Sequence, residues 1–216
     1  MAERKKKVNQ RAAFSRRQFI TSVGLAGAGS LGAEALLRHE PGADEPLAGS
    51  AAGVTLAQGA HPVTLRVNGK PVTVNVEART TLISALRDYA DPPITGPKLV
   101  CDEAACGACT VLVNGKTAYA CMLLAVDVVG SEISTVEGFA ANGMSPVQEA
   151  FVEKDAMMCG FCTPGFVTSI TALLRENPNP TEEQVKQACS GNICRCGTYP
   201  HVFAAALAAA KPASGK

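Results

Sequence analysis

The 216-residue sequence has no tryptophan and only three histidines, His39, His61 and His201. It also shows no nucleophile motif and no phosphate-cradling glycine loop, so it offers no catalytic constellation of its own. Charge is sparse: 18% of residues are charged against 47% hydrophobic, which excludes a disordered polyelectrolyte. The formal net charge is +1, but seven of the basic residues lie in the first twenty positions and the remainder is acidic. That distribution excludes a nucleic-acid binder. The uncharged stretch 20–33 is rich in Gly and Ala and shorter than the roughly 20 apolar residues of a membrane span. Nine cysteines are odd in number and fall below the roughly 8–10% of a small disulfide scaffold. Those cysteines need another explanation.

Residues 1–60 read as an address. Arg4, Lys5, Lys6, Lys7 and Arg11 precede Ser15-Arg16-Arg17-Gln18-Phe19-Ile20, with the arginine pair directly at the apolar boundary. The pattern resembles a twin-arginine export signal and predicts a periplasmic protein exported already folded. Ala33-Glu34-Ala35 and the small residues between Ala48 and Gly53 offer two cleavage points. Pro41, Gly42, Pro46, Gly49 and Gly53 predict a linker, so the folded part starts near His61.

From there the hydrophobic period divides the chain in two. Val63, Leu65 and Val67, then Asn68-Gly69, then Val72, Val74 and Val76 predict a β-hairpin. Thr80 and Thr81 are positioned to cap a short helix with Leu82, Ile83, Ala85 and Leu86 that ends before Asp91-Pro92-Pro93. Val111, Val113, Asn114-Gly115 and Ala118 to Met122 predict a second hairpin, and Ile133 to Val136 a last strand. Beyond Gly138 the period is helical. Ser145-Pro146 opens one helix with Val147, Ala150 and Phe151, and Pro164 another with Phe166, Ile170, Leu173 and Leu174. Thr181 and Gln184 form a capping box, and Val202 to Ala210 a final helix. These apolar stripes are core.

Eight cysteines fall into two quartets. Cys101, Cys106 and Cys109 are spaced C-x4-C-x2-C, and Cys121 follows. This spacing matches the plant-type two-iron two-sulfur (2Fe-2S) ligand run: a loop curls around the cluster, and a neighbouring strand brings the fourth thiolate. Gly107 and Ala108 leave room for close backbone approach. Zinc and disulfides are the competing readings. The second quartet is Cys159, Cys162, Cys194 and Cys196. Two apart in an extended segment, Cys194 and Cys196 would point their sulfurs the same way. Cys162, ahead of the helix opened by Pro164, would have its thiol pKa lowered by the helix dipole. A second metal site competes here with a thioredoxin-like dithiol at Cys159 and Cys162, for which no βαβ pattern is visible. Cys189 reads as a buried, inert thiol, and His201 as a residue packing beside the last helix.

Five segments together carry a family resemblance: Gly96-Pro97-Lys98 to Cys101, Cys106 to Gly115, Pro146 to Phe151, Cys159-Gly160-Phe161-Cys162-Thr163-Pro164-Gly165 and Gly191-Asn192-Ile193-Cys194-Arg195-Cys196-Gly197. Over about residues 61–210 the chain resembles the small iron-sulfur subunit of the xanthine dehydrogenase and aldehyde oxidoreductase family of molybdenum hydroxylases. The resemblance implies an α+β chain. A β-grasp ferredoxin-like domain (61–137) would precede an all-α four-helix-bundle domain (138–216), each holding one 2Fe-2S cluster.

It further implies a large molybdopterin-binding partner and an FAD-binding subunit or cytochrome acceptor. Electrons would pass from molybdenum to the cluster of Cys159, Cys162, Cys194 and Cys196, then to that of Cys101, Cys106, Cys109 and Cys121. Periplasmic aldehyde oxidoreductases are the likeness among exported relatives, which implies oxidation of aldehydes to carboxylates. A free-standing periplasmic ferredoxin, and a zinc- or disulfide-stabilised binding protein, are the other classes. The helical half is expected to hold its cluster deep in its core, which favours the subunit reading, since only a docked partner cofactor would reach it. Met158 replaces the family's usual Gln and lacks the amide that would bond the pterin. Ala104 and Val100 also depart from the usual pattern. If Ala104 has positive φ, it costs on the order of 1 kcal/mol.

Overall fold

The computed structural model describes residues 59–210. The expected leader with Arg16 and Arg17, its cleavage points and the linker up to residue 58 lie outside them. Alternation puts Val63, Leu65 and Val67 of β1 (His61–Val67) on one buried face. Val74 and Val76 of β2 (Lys70–Val76) join them, with Val63 opposite Val74. Asn68 (φ 51°) and Gly69 (φ 76°) take the left-handed pair of conformations that a tight two-residue hairpin requires. Asn114 (φ 50°) and Gly115 (φ 82°) do the same between β3 (Thr110–Val113) and β4 (Lys116–Tyr119).

A fifth strand, β5 (Glu132–Ser134), lies between the hairpins in the order β2-β1-β5-β3-β4, parallel to β1 and antiparallel to β3. Both turn asparagines hold it: Asn68 Oδ1 accepts Thr135 N–H at 2.8 Å, and Asn114 Oδ1 accepts Glu132 N–H at 2.9 Å. Against the sheet packs α1 (Leu82–Ser84), capped by Thr81 and running into a π-helical turn, Ala85–Tyr89.

Two strand ends differ from the sequence expectation. The strand predicted to Met122 stops at Tyr119, because Ile83 N–H takes the Ala120 carbonyl and Met122 N–H returns to the Tyr119 carbonyl, closing a turn. Cys121 therefore comes from a turn, not a strand. The last strand ends at Ser134, and Val136 opens a 3-10 turn, Val136–Ala140.

The helical half comprises α2 (Pro146–Glu153), α3 (Thr163–Glu176), α4 (Glu182–Ala188) and α5 (Tyr199–Ala210). Reciprocal capping boxes start α2 (Ser145 with Gln148) and α4 (Thr181 with Gln184), satisfying donors that would otherwise be orphaned. Phe151, Phe166, Ile170, Val185, Val202, Ala205 and Ala206 form its core, separate from that of the sheet half. Helix α3 packs on β3 and β4 as well as on its neighbouring helices, which brings the two cysteine-bearing regions together. Among the described residues no helix is long and apolar enough to cross a membrane.

Candidate metal centre

The first quartet lies on the loop between Val100 and Cys109 and the turn after β4. The loop curls through left-handed residues Asp102 (φ 56°), Ala104 (φ 59°) and Gly107 (φ 69°), so the expected strain at Ala104 is present. Lys98 N–H donates to the Ala108 carbonyl at 2.9 Å and closes the base of the loop. The Sγ atoms of Cys109 and Cys121 are 3.4 Å apart and buried, while half-buried Cys101 and Cys106 bond to each other through their thiols. A backbone N–H at Glu103 holds the Cys101 thiol down to about 7, and burial pushes Cys109 up to about 12.

The second quartet also forms two pairs, Cys162 with Cys194 and Cys159 with Cys196. Its depth is not as expected. Cys194 is buried and Cys162 half-buried, but Cys159 and Cys196 are exposed, so the quartet opens at a surface. Cys194 and Cys196 consequently face different surroundings, one inward and one outward. The helix-dipole expectation for Cys162 is reversed as well. It occupies the N-cap of α3 without a side-chain capping bond, and burial pushes its thiol up to about 12. Its partner Cys194 is pushed up by burial too, but the Thr198 hydroxyl and backbone donors hold it down to about 7. Cys189 is 2% exposed at the end of α4, and burial raises it to about 12, as an inert core thiol should be. His201 sits on α5 with Nδ1 2.9 Å from the Lys154 carbonyl.

All nine cysteines are free. Among the described residues no three or more His, Cys, Asp or Glu side chains gather around a single ion. A mononuclear zinc site would collect four donors at one point. Two pairs per quartet instead suit a 2Fe-2S centre, whose two irons share four thiolates.

The two quartets meet directly. Ile193 N–H donates to the Cys106 carbonyl at 2.9 Å, and Asn192 Nδ2 donates to the Gly107 carbonyl at 2.9 Å. Gly165 fits beneath this junction because a Cβ there would overlap the Gly107 carbonyl oxygen. The room at Gly107, expected to admit a cluster, is filled by Gly191 and Asn192 of the other loop. Thr198 and Tyr199 were not singled out by sequence reasoning, and Asn192 entered it only as part of the family motif. The available signal was their place immediately around a C-x-C pair.

Residues 66–160 match the 2Fe-2S iron-sulfur cluster binding domain family, and residues 135–207 the [2Fe-2S] binding domain family. The chain is 47% identical over 131 residues to the nicotine 6-hydroxylase small subunit of Paenarthrobacter nicotinovorans, covering 61% of this chain and 78% of that one. It is 41% identical over 145 residues to the aldehyde oxidoreductase iron-sulfur-binding subunit of Escherichia coli (strain K12), covering 60% of this chain and 62% of that one. The crystal structure of quinoline 2-oxidoreductase from Pseudomonas putida 86 superposes with a TM-score of 0.66 at 36% identity, covering 70% of this chain and 94% of that one. Paired thiols in two quartets, the two matched domains and these relatives establish that the chain belongs to the family of 2Fe-2S iron-sulfur subunits of molybdenum hydroxylases.

Proposed function

We propose that this chain is the electron relay of an exported molybdenum hydroxylase. In this reading Cys101, Cys106, Cys109 and Cys121 hold one 2Fe-2S centre in a β-grasp ferredoxin-like domain, residues 61–137. Cys159, Cys162, Cys194 and Cys196 hold the other in a four-helix domain, residues 138–216. Each centre supplies one-electron storage when bound. The chain supplies the link. The observation that carries the reading is the hydrogen bond from Ile193 N–H to the Cys106 carbonyl. It completes a path from the Cys106 sulfur to the Cys194 sulfur that is covalent except for one 2.9 Å step.

Exposure supports an order of transfer. Cys159 and Cys196 open at the surface beside Met158 (74% exposed), Phe161 and Ile193, an apolar face suited to a large molybdopterin-bearing partner. The first quartet then passes electrons to an FAD-binding subunit or a cytochrome. Kinship with the aldehyde oxidoreductase subunit supports aldehydes as substrates, oxidised to carboxylates within the large partner. Arg16 and Arg17 support export in the folded state to the periplasm, where thiols already bound to iron escape scrambling into disulfides.

Purification of the exported chain tests this reading. The expected result is a complex containing molybdenum and a large subunit, with about four irons and four sulfides per chain and two EPR signals on reduction by an aldehyde. An iron-loaded chain that arrives alone would be a free-standing carrier and would overturn it. Replacing Arg16 and Arg17 by Lys should retain the protein in the cytoplasm, and normal export would refute the leader.

A further inference from the structure

The residues that follow Cys196-Gly197 converge on Cys194. Thr198 is 9% exposed and starts α5, its carbonyl accepting Val202 N–H at 3.0 Å. Its hydroxyl oxygen lies 3.1 Å from Cys194 Sγ. Next to it, the Tyr199 phenol oxygen accepts Cys194 N–H at 2.9 Å and faces the Asn192 carbonyl at 3.4 Å. The Tyr199 ring is itself fixed edge-on against Phe166, with centroids 5.7 Å apart, and packs on Phe203. One side chain addresses the sulfur of Cys194, and the other immobilises its backbone.

We propose that Thr198 is a positioning residue that tunes the redox centre of the second quartet: its hydroxyl donates a hydrogen bond to Cys194 Sγ and raises that centre's reduction potential. The proposal rests on the ligand reading above. A thiolate bound to iron carries no proton, so the hydrogen in this contact belongs to Thr198. A one-electron reduction adds negative charge that the ligand sulfurs share. A hydroxyl donor aimed at one of them therefore stabilises the reduced form more than the oxidised form. Tyr199 prevents the Cys194 backbone from drifting out of reach. Among the described residues, this is the one hydroxyl bonded to a sulfur of either quartet, so the effect falls on one centre and changes the difference between the two. Backbone N–H groups of Thr198 and Cys196 also reach the Cys194 sulfur, and a side-chain substitution leaves them in place.

The test is an EPR-monitored redox titration of the full chain carrying its clusters, as wild type, Thr198→Val and Thr198→Ser. Val removes the donor while keeping the shape, and Ser keeps the donor. The expected result for Thr198→Val is about a tenfold shift of the second centre's equilibrium toward the oxidised form, ~59 mV for one electron. The first centre should be unmoved and Thr198→Ser should match wild type. If the valine variant does not take up its cluster, Thr198→Ala removes the same donor with less bulk and is read in its place. A donor-free variant with the wild-type potential would overturn the proposal, as would an equal fall in Thr198→Ser. A wild-type chain lacking the second EPR signal would instead refute the ligand assignment beneath it.

Discussion

The side-chain amide of Asn192 donates to the Gly107 carbonyl at 2.9 Å and so fastens the loop of the second quartet onto the loop of the first. The amide is 4% exposed and fully engaged. Nδ2 also reaches Thr110 Oγ1 at 3.3 Å, and Oδ1 accepts the Ser169 hydroxyl at 2.8 Å. Since its donors and acceptor are both committed, the amide cannot flip without breaking bonds to β3, α3 and the Gly107 loop together.

Asn192→Ala should therefore destabilise the cluster-loaded chain by about 1–3 kcal/mol, because buried partners are left unsatisfied. Asn192→Asp should cost more, since it sets a carboxylate oxygen against the Gly107 carbonyl. Thermal unfolding measures the stability. Flash reduction measures electron exchange between the centres, which should slow in both variants while each EPR signal persists.

Steric demand separates the two glycines of this junction, Gly165 and Gly107, from Gly115 in the turn between β3 and β4. Gly165 has ordinary backbone angles, yet a methyl there would overlap the Gly107 carbonyl, so Gly165→Ala should cost about 1–3 kcal/mol through overpacking alone. Gly107→Ala adds a left-handed conformation (φ 69°) to a collision with the Gly191 carbonyl and should be the worst of the three. Gly115→Ala faces open space and should lose only about 1 kcal/mol, from φ alone. Equal denaturation midpoints for Gly165→Ala and wild type would show that the junction is slack.

Much of this architecture was readable because its signals are local. Asn-Gly between alternating valines, and Ser-Pro before an apolar stripe, specify their structures within a few residues. Failures of the sequence reading came where distant groups decide. Cys121 leaves its strand because Ile83 competes for the Ala120 carbonyl. At Cys162 burial, reinforced by the Cys194 thiol 32 positions away in the chain, pushes the pKa up where the dipole alone would lower it. The depth of the second quartet was misjudged for a similar reason: helical periodicity indicates which faces pack, but not how far the loops between helices carry Cys159 and Cys196 outward.

Ala104 offers a gain of stability. Its φ of 59° strains an alanine by roughly 1–2 kcal/mol, and glycine relieves this at the cost of a more flexible unfolded chain. Ala104→Gly should raise stability by a net ~1 kcal/mol or less without altering the spectrum of the first centre, as chemical denaturation of the loaded chain would reveal.

Acid should act through Glu132. The Gly69 N–H at 2.7 Å and the Arg66 guanidinium at 2.9 Å hold its carboxylate below the ordinary range, tying the first hairpin turn to β5. A carboxylate depressed in the folded state contributes stability above its unfolded pKa of about 4.3 and loses it as pH falls through the folded value. Glu132→Gln should lower the melting temperature at neutral pH and converge with wild type in acid. Parallel curves across that range would deny the carboxylate this role.

Cysteine substitutions separate ligands from core. Cys196 is exposed and pairs only with Cys159, so Cys196→Ser removes a thiolate without opening a cavity. That variant should lose the EPR signal of the second centre and keep that of the first. Cys189 lies among Val185, Phe166 and the other core residues of the helical half, and burial raises its thiol pKa. Cys189→Ser should therefore retain both signals and lose stability by about 1–3 kcal/mol, because its hydroxyl is buried without a ready partner. Loss of a signal in Cys189→Ser, or retention of both in Cys196→Ser, would reassign the thiolates of the helical half.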